Sequence, residues 1–221
     1  MRDGSFAEYV AAPAVSAILF TGIPAKRAAF AEPLGCCIHG VDRTSLESGD
    51  TVAIIGAGPI GLLLLQTFRN AGAGTIVVSE LVPERREIAQ NLGADYVIDP
   101  QECDPADDIA ALAGPVDITV EAVGAGPALN QAWEITDKQG EMLIFGVPTE
   151  DETLEISPFD VYYQEINVIG SFAAIPITMR RAVTPLEWGR IDVDSLITDE
   201  FGLDGVSTAF DQMRTPKGSR R

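Results

Sequence analysis

The stretch Asp50–Gly72, DTVAIIGAGPIGLLLLQTFRNAG, decides the reading of this chain. A short β-rich run, Thr51–Gly56, enters three spaced glycines, Gly56-x-Gly58-x-x-Gly61. An apolar run of helix length, Pro59–Ala71, leaves them, with Pro59 in the first turn, where its missing N–H costs nothing. Two explanations compete: a strand-turn-helix that merely packs well, or a seat for a pyrophosphate. The dinucleotide fingerprint requires a strand before the glycines and a helix after them, and both patterns are present. In that reading Gly56 makes the tight turn and Gly58 lets the backbone approach the phosphates. Gly61 lets helix and strand lie close. The helix start at Pro59 and Ile60 offers unpaired N–H groups and a partial positive charge.

The fingerprint also predicts an acid about 20 residues further on, at the end of the second strand. Glu80 follows Gly61 by 19 residues. A carboxylate there can accept from both ribose hydroxyls and would repel a 2′-phosphate, which favours NAD over NADP. Arg85 and Arg86 stand just behind it and soften that preference. The plainer role for Glu80 is an N-capping or solvated acid.

Working outward, the rhythm continues. Strands are expected at Thr75–Glu80, Tyr96–Asp99, Val116–Val123, Glu141–Val147 and Asn167–Phe172. Between them Pro83–Leu92, Pro105–Leu112 and Pro127–Thr136 have helix length and helix-start prolines. Strands this apolar, alternating with helices, predict an α/β fold: a doubly wound parallel sheet covered on both faces, with right-handed crossovers. In such sheets ligands lie across the carboxyl ends of the strands at the order switch. The turns at Val123-Gly124 and Gly146-Val147-Pro148 are therefore expected along the nicotinamide half. Arg85, Ser171 and Phe172 complete the expected cofactor contacts. The ends of the chain break the rhythm. Residues 1–32 read as extended and loop-rich, with a helix start near Pro24–Phe30. Residues 176–214 read as two helices, Ile177–Trp188 and Leu203–Met213, around an extended LITDEF.

Composition sets outer bounds. The 221 residues are 46% hydrophobic and 22% charged, a globular balance. No apolar run approaches the roughly 20 residues of a bilayer span. The first residues lack a basic-then-apolar leader layout, so the chain is read as cytoplasmic. The net charge of −18 argues against nucleic acid or an anionic membrane as partner. With acids scattered along the chain and lysine scarce, it points to a high-salt cytoplasm, where screening relieves self-repulsion. Equal stability with and without molar salt would contradict that reading. Cys36, Cys37 and Cys103 form no C-x-x-C pair, and reduced thiols are expected.

Whole stretches then match a known family: GSFAEYV (Gly4–Val10), FAEPLGCCIHGV (Phe30–Val41), GDTVAIIGAGPIGLL (Gly49–Leu63), NLGADYVID (Asn91–Asp99), DITVEAVG (Asp117–Gly124), IFGVP (Ile144–Pro148), INVIGSF (Ile166–Phe172) and Gly189–Met213. The chain resembles the zinc-dependent medium-chain dehydrogenases of the sorbitol, threonine and alcohol dehydrogenase branch. The resemblance implies a Rossmann domain at 35–172. It implies the tail of a GroES-like catalytic domain at 1–34 and an incomplete return to it at 173–221. It implies hydride transfer between a secondary alcohol or polyol and NAD, with zinc in the full-length family polarising the alcohol. Glu32 matches the family's acidic residue at or beside the zinc. No Cys and His-Glu pair precedes residue 30, and the single histidine, His39, falls on the following helix. Glu32 is therefore expected as a vestige at a helix start, and Cys36 and Cys37 as buried, inert thiols. This chain alone is expected to bind NAD without turnover, as a module or as half of a split enzyme. The sixth strand is expected to pair with a second copy in a dimer or tetramer. Apolar surface is expected to be exposed around Phe6, Tyr9 and Phe159–Tyr163.

Overall fold

A computed structural model describes residues 6–214, so Gly4 and Ser5 of the first matching stretch lie outside the described residues. Six strands form one sheet: β1 (Thr51–Ile55), β2 (Thr75–Ser79), β3 (Tyr96–Ile98), β4 (Ile118–Glu121), β5 (Glu141–Ile144) and β6 (Asn167–Gly170). Every pairing is parallel and the order is β3-β2-β1-β4-β5-β6. This is the doubly wound sheet that the sequence predicts. The order reverses between β1 and β4, where Ile54 sits between Val78 and Val120.

The central strands β1, β2 and β4 are buried on both faces because both faces are covered. Val52 and Ile54 of β1 point into one core, under α2 (Ala31–Arg43), α3 (Pro59–Ala71) and α8 (Pro176–Glu187). Ala53 and Ile55 point into the other, with Ile109 of α5 (Pro105–Ala113) and Leu129 and Ala132 of α6 (Gly126–Ile135). The run Leu62–Leu65 is buried throughout. A helical turn apolar on all sides must be enclosed, and α3 packs against β1, α2 and α4 (Pro83–Asn91). Each such leucine contributes about 1.5–3 kcal/mol of burial.

The lower end of α3 is closed by chemistry that the sequence spells out. Gly72 takes a left-handed φ of 118° and returns its N–H to Arg69 and Phe68. Arg69 then donates to the carbonyls of Ala73, Gly74 and Gly93 and pairs with Asp95, whose carboxylate also accepts from the Ile76 N–H (2.7 Å).

Two departures from expectation are informative. The strands end one to three residues earlier than the apolar runs do: Gly56, Glu80, Ala122, Phe145 and Ser171 each give a last N–H to the neighbouring strand, and the chain leaves the ladder after them. A helix not foreseen, α7 (Pro158–Gln164), precedes β6; Ser157 caps it through the Phe159 N–H, and it buries no residue. Phe159, Tyr162 and Tyr163 on it are exposed, as are Phe6 and Tyr9, in line with the expected apolar surface. Beyond the sheet, Pro24–Phe30 gives the short helix α1 (Ala25–Ala28), and the C-terminal segment gives α8 and α9 (Val206–Arg214). Arg27 pairs with Asp194 and Lys26 with Glu200, tying the two ends of the chain together. No helix among the described residues is long and apolar enough to cross a membrane.

Gly61 and Gly58 separate packing from binding. A Cβ on Gly61 would overlap the Gly56 carbonyl oxygen, whereas one on Gly58 would meet nothing within 4 Å. Gly61→Ala is expected to cost about 1–3 kcal/mol of stability in chemical denaturation, and Gly58→Ala less than about 1 kcal/mol, since its φ of −65° suits any residue. Equal losses would contradict this division of labour.

Candidate functional site

The carboxyl ends of β1, β2 and β4 open onto a groove of about 800 Å³. It is lined by Gly56 and Gly58 from the glycine turn, Glu80, Leu81, Val82 and Arg85 from the end of β2 and the start of α4, and Ala122 and Val123 after β4. The size suits a ligand of cofactor class, and the position is the order switch where such sheets bind.

The glycine turn forms the floor. Gly56 has φ of 99°, and a Cβ there would lie 2.7 Å from Cγ2 of Val123, so both conformation and space require glycine. Gly58 is the N-cap of α3 and supplies no side-chain cap to the helix amides. The open space in front of it and the positive end of a 13-residue helix make a cradle of the kind that accepts phosphate.

Glu80 is buried and held from two sides. Oε2 accepts from the Ala57 N–H (2.7 Å) and Oε1 from the Val82 N–H (2.9 Å). The carboxylate is thus fixed to the turn it serves, and each oxygen keeps capacity for one more donor. Arg85 lies 3.8 Å from Oε2 and lines the groove. Arg86 turns away: it bonds the carbonyls of Glu80 and Leu81 and pairs with Asp99 at 2.8 Å. Of the two arginines behind the acid, Arg85 alone lines the groove.

The sequence-derived residues divide accordingly. Gly56, Gly58, Glu80, Arg85 and Val123 meet in the groove. Gly61 backs it, and Pro59 and Ile60 sit in the first turn of α3 above it. Gly146, Val147, Ser171 and Phe172 follow β5 and β6 along the same edge of the sheet without lining this groove, and Val147 and Phe172 are about nine-tenths exposed (90% and 92%). The turns after β4 and β5 touch: a Cβ on Gly124, which has φ of 80°, would lie 2.6 Å from the Val147 carbonyl oxygen.

Sequence reasoning passed over three features. Pro100 and Gln131 line the groove, and Gln131 accepts from the Ser79 hydroxyl (3.0 Å). Glu121, at the end of β4, is fully buried. Its Oε1 accepts from the N–H groups of Val123 (2.7 Å) and Gly124 (2.6 Å), while Oε2 has no partner among the described residues. The available signal was a charge inside the apolar run ITVEAV, where a strand covered on both faces has no solvent to receive it.

The metal candidate does not assemble. Glu32 is exposed in the first turn of α2 and accepts from the Cys36 thiol at 3.5 Å. Burial, and then the Glu32 charge, push the Cys36 thiol up to about 11, the opposite of a zinc thiolate. Cys37 is wholly buried, and burial pushes its thiol up as well. Among the described residues no three His, Cys, Asp or Glu side chains gather, so these donors do not fit zinc.

Burial raises the Glu121 carboxyl above its ordinary value, against the pull of the Gly124 and Val123 amides. A folded-state value above the unfolded one means a contribution most favourable at acid pH and lost as pH rises through the folded value. Relative to wild type, Glu121→Gln is expected to gain stability as pH rises above the ordinary carboxylate range, read by denaturation at fixed salt. A difference independent of pH would contradict the burial cost.

Comparison with known proteins agrees with this geometry. A family model described as zinc-binding dehydrogenase matches residues 59–187. D-arabinitol dehydrogenase 1 of Uromyces fabae is 32% identical over 216 residues, covering 96% of this chain and 62% of that protein. Sorbitol dehydrogenase of Bacillus subtilis is 32% identical over 213 residues, covering 95% and 60%. Among solved structures, a zinc-binding dehydrogenase from Sinorhizobium meliloti bound to NADP superposes with a TM-score of 0.88 at 37% identity, covering 97% of this chain and 63% of that one. The chain thus spans about three fifths of the length of the curated relatives it matches. A glycine turn and its acid at the switch of a six-stranded parallel sheet, with a family match over more than half its length, make this chain a member of the zinc-dependent medium-chain dehydrogenases.

Proposed function

We propose that this chain is the cofactor-binding part of an NAD-dependent alcohol or polyol dehydrogenase, seating the dinucleotide across the groove at the β1–β4 switch. The observation that carries the reading is the convergence of Gly56, Gly58 and Glu80 in one groove, with Glu80 bonded to the turn itself. Gly56, Gly58 and Glu80 would hold the dinucleotide there, and NAD would supply hydride-transfer chemistry toward the carbon of a secondary alcohol. Gly58 gives the pyrophosphate access to the α3 amides. Glu80 takes the ribose hydroxyls on its remaining acceptor sites. Val123 forms part of the groove wall after β4.

The names of two relatives, D-arabinitol dehydrogenase and sorbitol dehydrogenase, support a polyol as substrate. The group that polarises the alcohol does not come from Glu32 and its neighbours, whose donors do not fit zinc; it has to be supplied from outside the described residues. The preference for NAD follows from a buried carboxylate facing the ribose site. Arg85 beside it, and a related structure bound to NADP, are reasons to measure that preference directly.

Titration of the isolated chain with NAD and NADP tests the reading. Gly58→Val is expected to weaken NAD more than about tenfold while the fold survives, because the substitution fills space and disturbs no packing. Glu80→Ala is expected to shift the NADP-to-NAD affinity ratio toward NADP by about tenfold. Unchanged NAD affinity in the first variant would remove the pyrophosphate seat, and an unchanged ratio in the second would remove Glu80 from the ribose site.

A further inference from the structure

A second cavity, of about 350 Å³, lies between α2 and the C-terminal parts of α3 and α8. Helix α3 ends beside the start of β1, where the Gly49 N–H bonds the Gly72 carbonyl (3.0 Å). The cavity therefore sits at the amino end of the sheet, opposite the cofactor groove. Its floor is apolar: Leu34, Ile38 and Val41 of α2, with Ile191, line it and are buried. Its rim carries Trp188, at the end of α8 and 66% exposed. The Arg190 guanidinium lies over that ring, 4.8 Å from its centre.

The wall that carries Arg190 is fixed to α3. Gln66, itself buried, donates to the Asp192 carbonyl (2.9 Å) and accepts from the Asp192 N–H (2.7 Å). One turn further along, the Asn70 amide donates to the Arg190 carbonyl (3.3 Å). An apolar floor with a few polar groups on held backbone, at a volume in the range of about 300–1,000 Å³, is the make-up of a small-molecule site.

Charge decides what fits. The chain has 33 acids against 15 bases, yet among the described residues Arg190 pairs with no carboxylate. Asp192, two residues on, spends its oxygens on the Asp194 N–H (2.9 Å) and the Ser195 hydroxyl (2.8 Å). Asp42, an acid in the lining, is held through both oxygens by Arg181. The rim thus keeps one uncommitted guanidinium over an aromatic face. A guanidinium so placed still has N–H donors in its plane for a carboxylate.

We propose that this cavity binds a small aromatic carboxylate, its ring on the apolar floor beside Trp188 and its carboxylate on Arg190. The site is separate from the dinucleotide groove, and both are filled at once.

The probe is 2-naphthoate, and its control is naphthalene-2-carboxamide, which has the same shape without the charge. Titration of the chain at one fixed salt concentration is followed by NMR on the indole N–H signals of Trp133 and Trp188, assigned with Trp188→Phe. 2-Naphthoate is expected to bind with Kd below about 1 mM and to move the Trp188 signal, not that of Trp133. The carboxamide is expected to bind at least about tenfold more weakly. Arg190 and Thr184 are both exposed, so substitutions there leave the fold intact. Arg190→Gln is expected to bring 2-naphthoate to within about threefold of the carboxamide, and Thr184→Phe, which narrows the mouth, to weaken it about tenfold. Saturating NADH is expected to change the 2-naphthoate affinity less than about threefold. Absence of binding, equal binding of acid and amide, a shift at Trp133 in place of Trp188, or indifference to either substitution would each overturn the proposal. Displacement by NADH would put the probe in the cofactor groove and overturn it as well. A chain that bound 2-naphthoate as expected but not NADH would uphold this site and sink the cofactor reading.

Discussion

The approach of α3 to β1 at Gly61 is the constraint on which the rest of the structure depends. The helix comes so near the strand end that a single methyl at Gly61 would overlap the Gly56 carbonyl oxygen. That closeness lets the buried turn Leu62–Leu65 of α3 lie between β1 and its neighbouring helices α2 and α4. The same closeness aims the start of α3 at the switch between β1 and β4, where the ladder opens. Packing and binding are therefore one arrangement seen from two sides. Gly61 serves the core, Gly58 faces open space, and Gly56 does both, with its positive φ and its contact to Val123.

Acids finish what the glycines begin. Several strand ends among the described residues are fastened by carboxylates that accept backbone amides. Glu80 ties β2 to the glycine turn, Glu121 ties β4 to its own exit, and Glu141 at the start of β5 takes the Ser45 N–H (2.7 Å). For a chain of net charge −18 this puts part of the charge to internal use, where salt screens it least. It also places negative groups around a groove meant for a phosphate-bearing ligand. The positive end of α3 and the guanidinium of Arg85 have to offset that field locally.

The sheet was largely legible in the sequence because a parallel strand covered on both faces announces itself as a continuous apolar run, and its helices begin at prolines: Pro59, Pro83 and Pro105 each stand at the first position of the helix. What the runs could not reveal was where each ladder stops. Gly56, Glu80, Val123, Val147 and Phe172 look like strand from composition, yet they are the residues that leave the sheet and build its carboxyl edge. Hydropathy does not distinguish a residue in a ladder from one just past its end. For the same reason the reading found Glu80, which the fingerprint spacing points to, and missed Glu121, which no spacing rule covers. Helix α7 escaped because it buries nothing and so leaves no apolar period to read.

The central claim is that one edge of this sheet holds a dinucleotide. Hydrogen exchange of the wild-type chain, measured with and without saturating NADH, tests it most directly. The account predicts new protection confined to the glycine turn at 56–61, the end of β2 at 80–85 and the turn at 122–125, with the helices on the back of the sheet unchanged. Protection absent from these segments, or spread evenly over the chain, would contradict it.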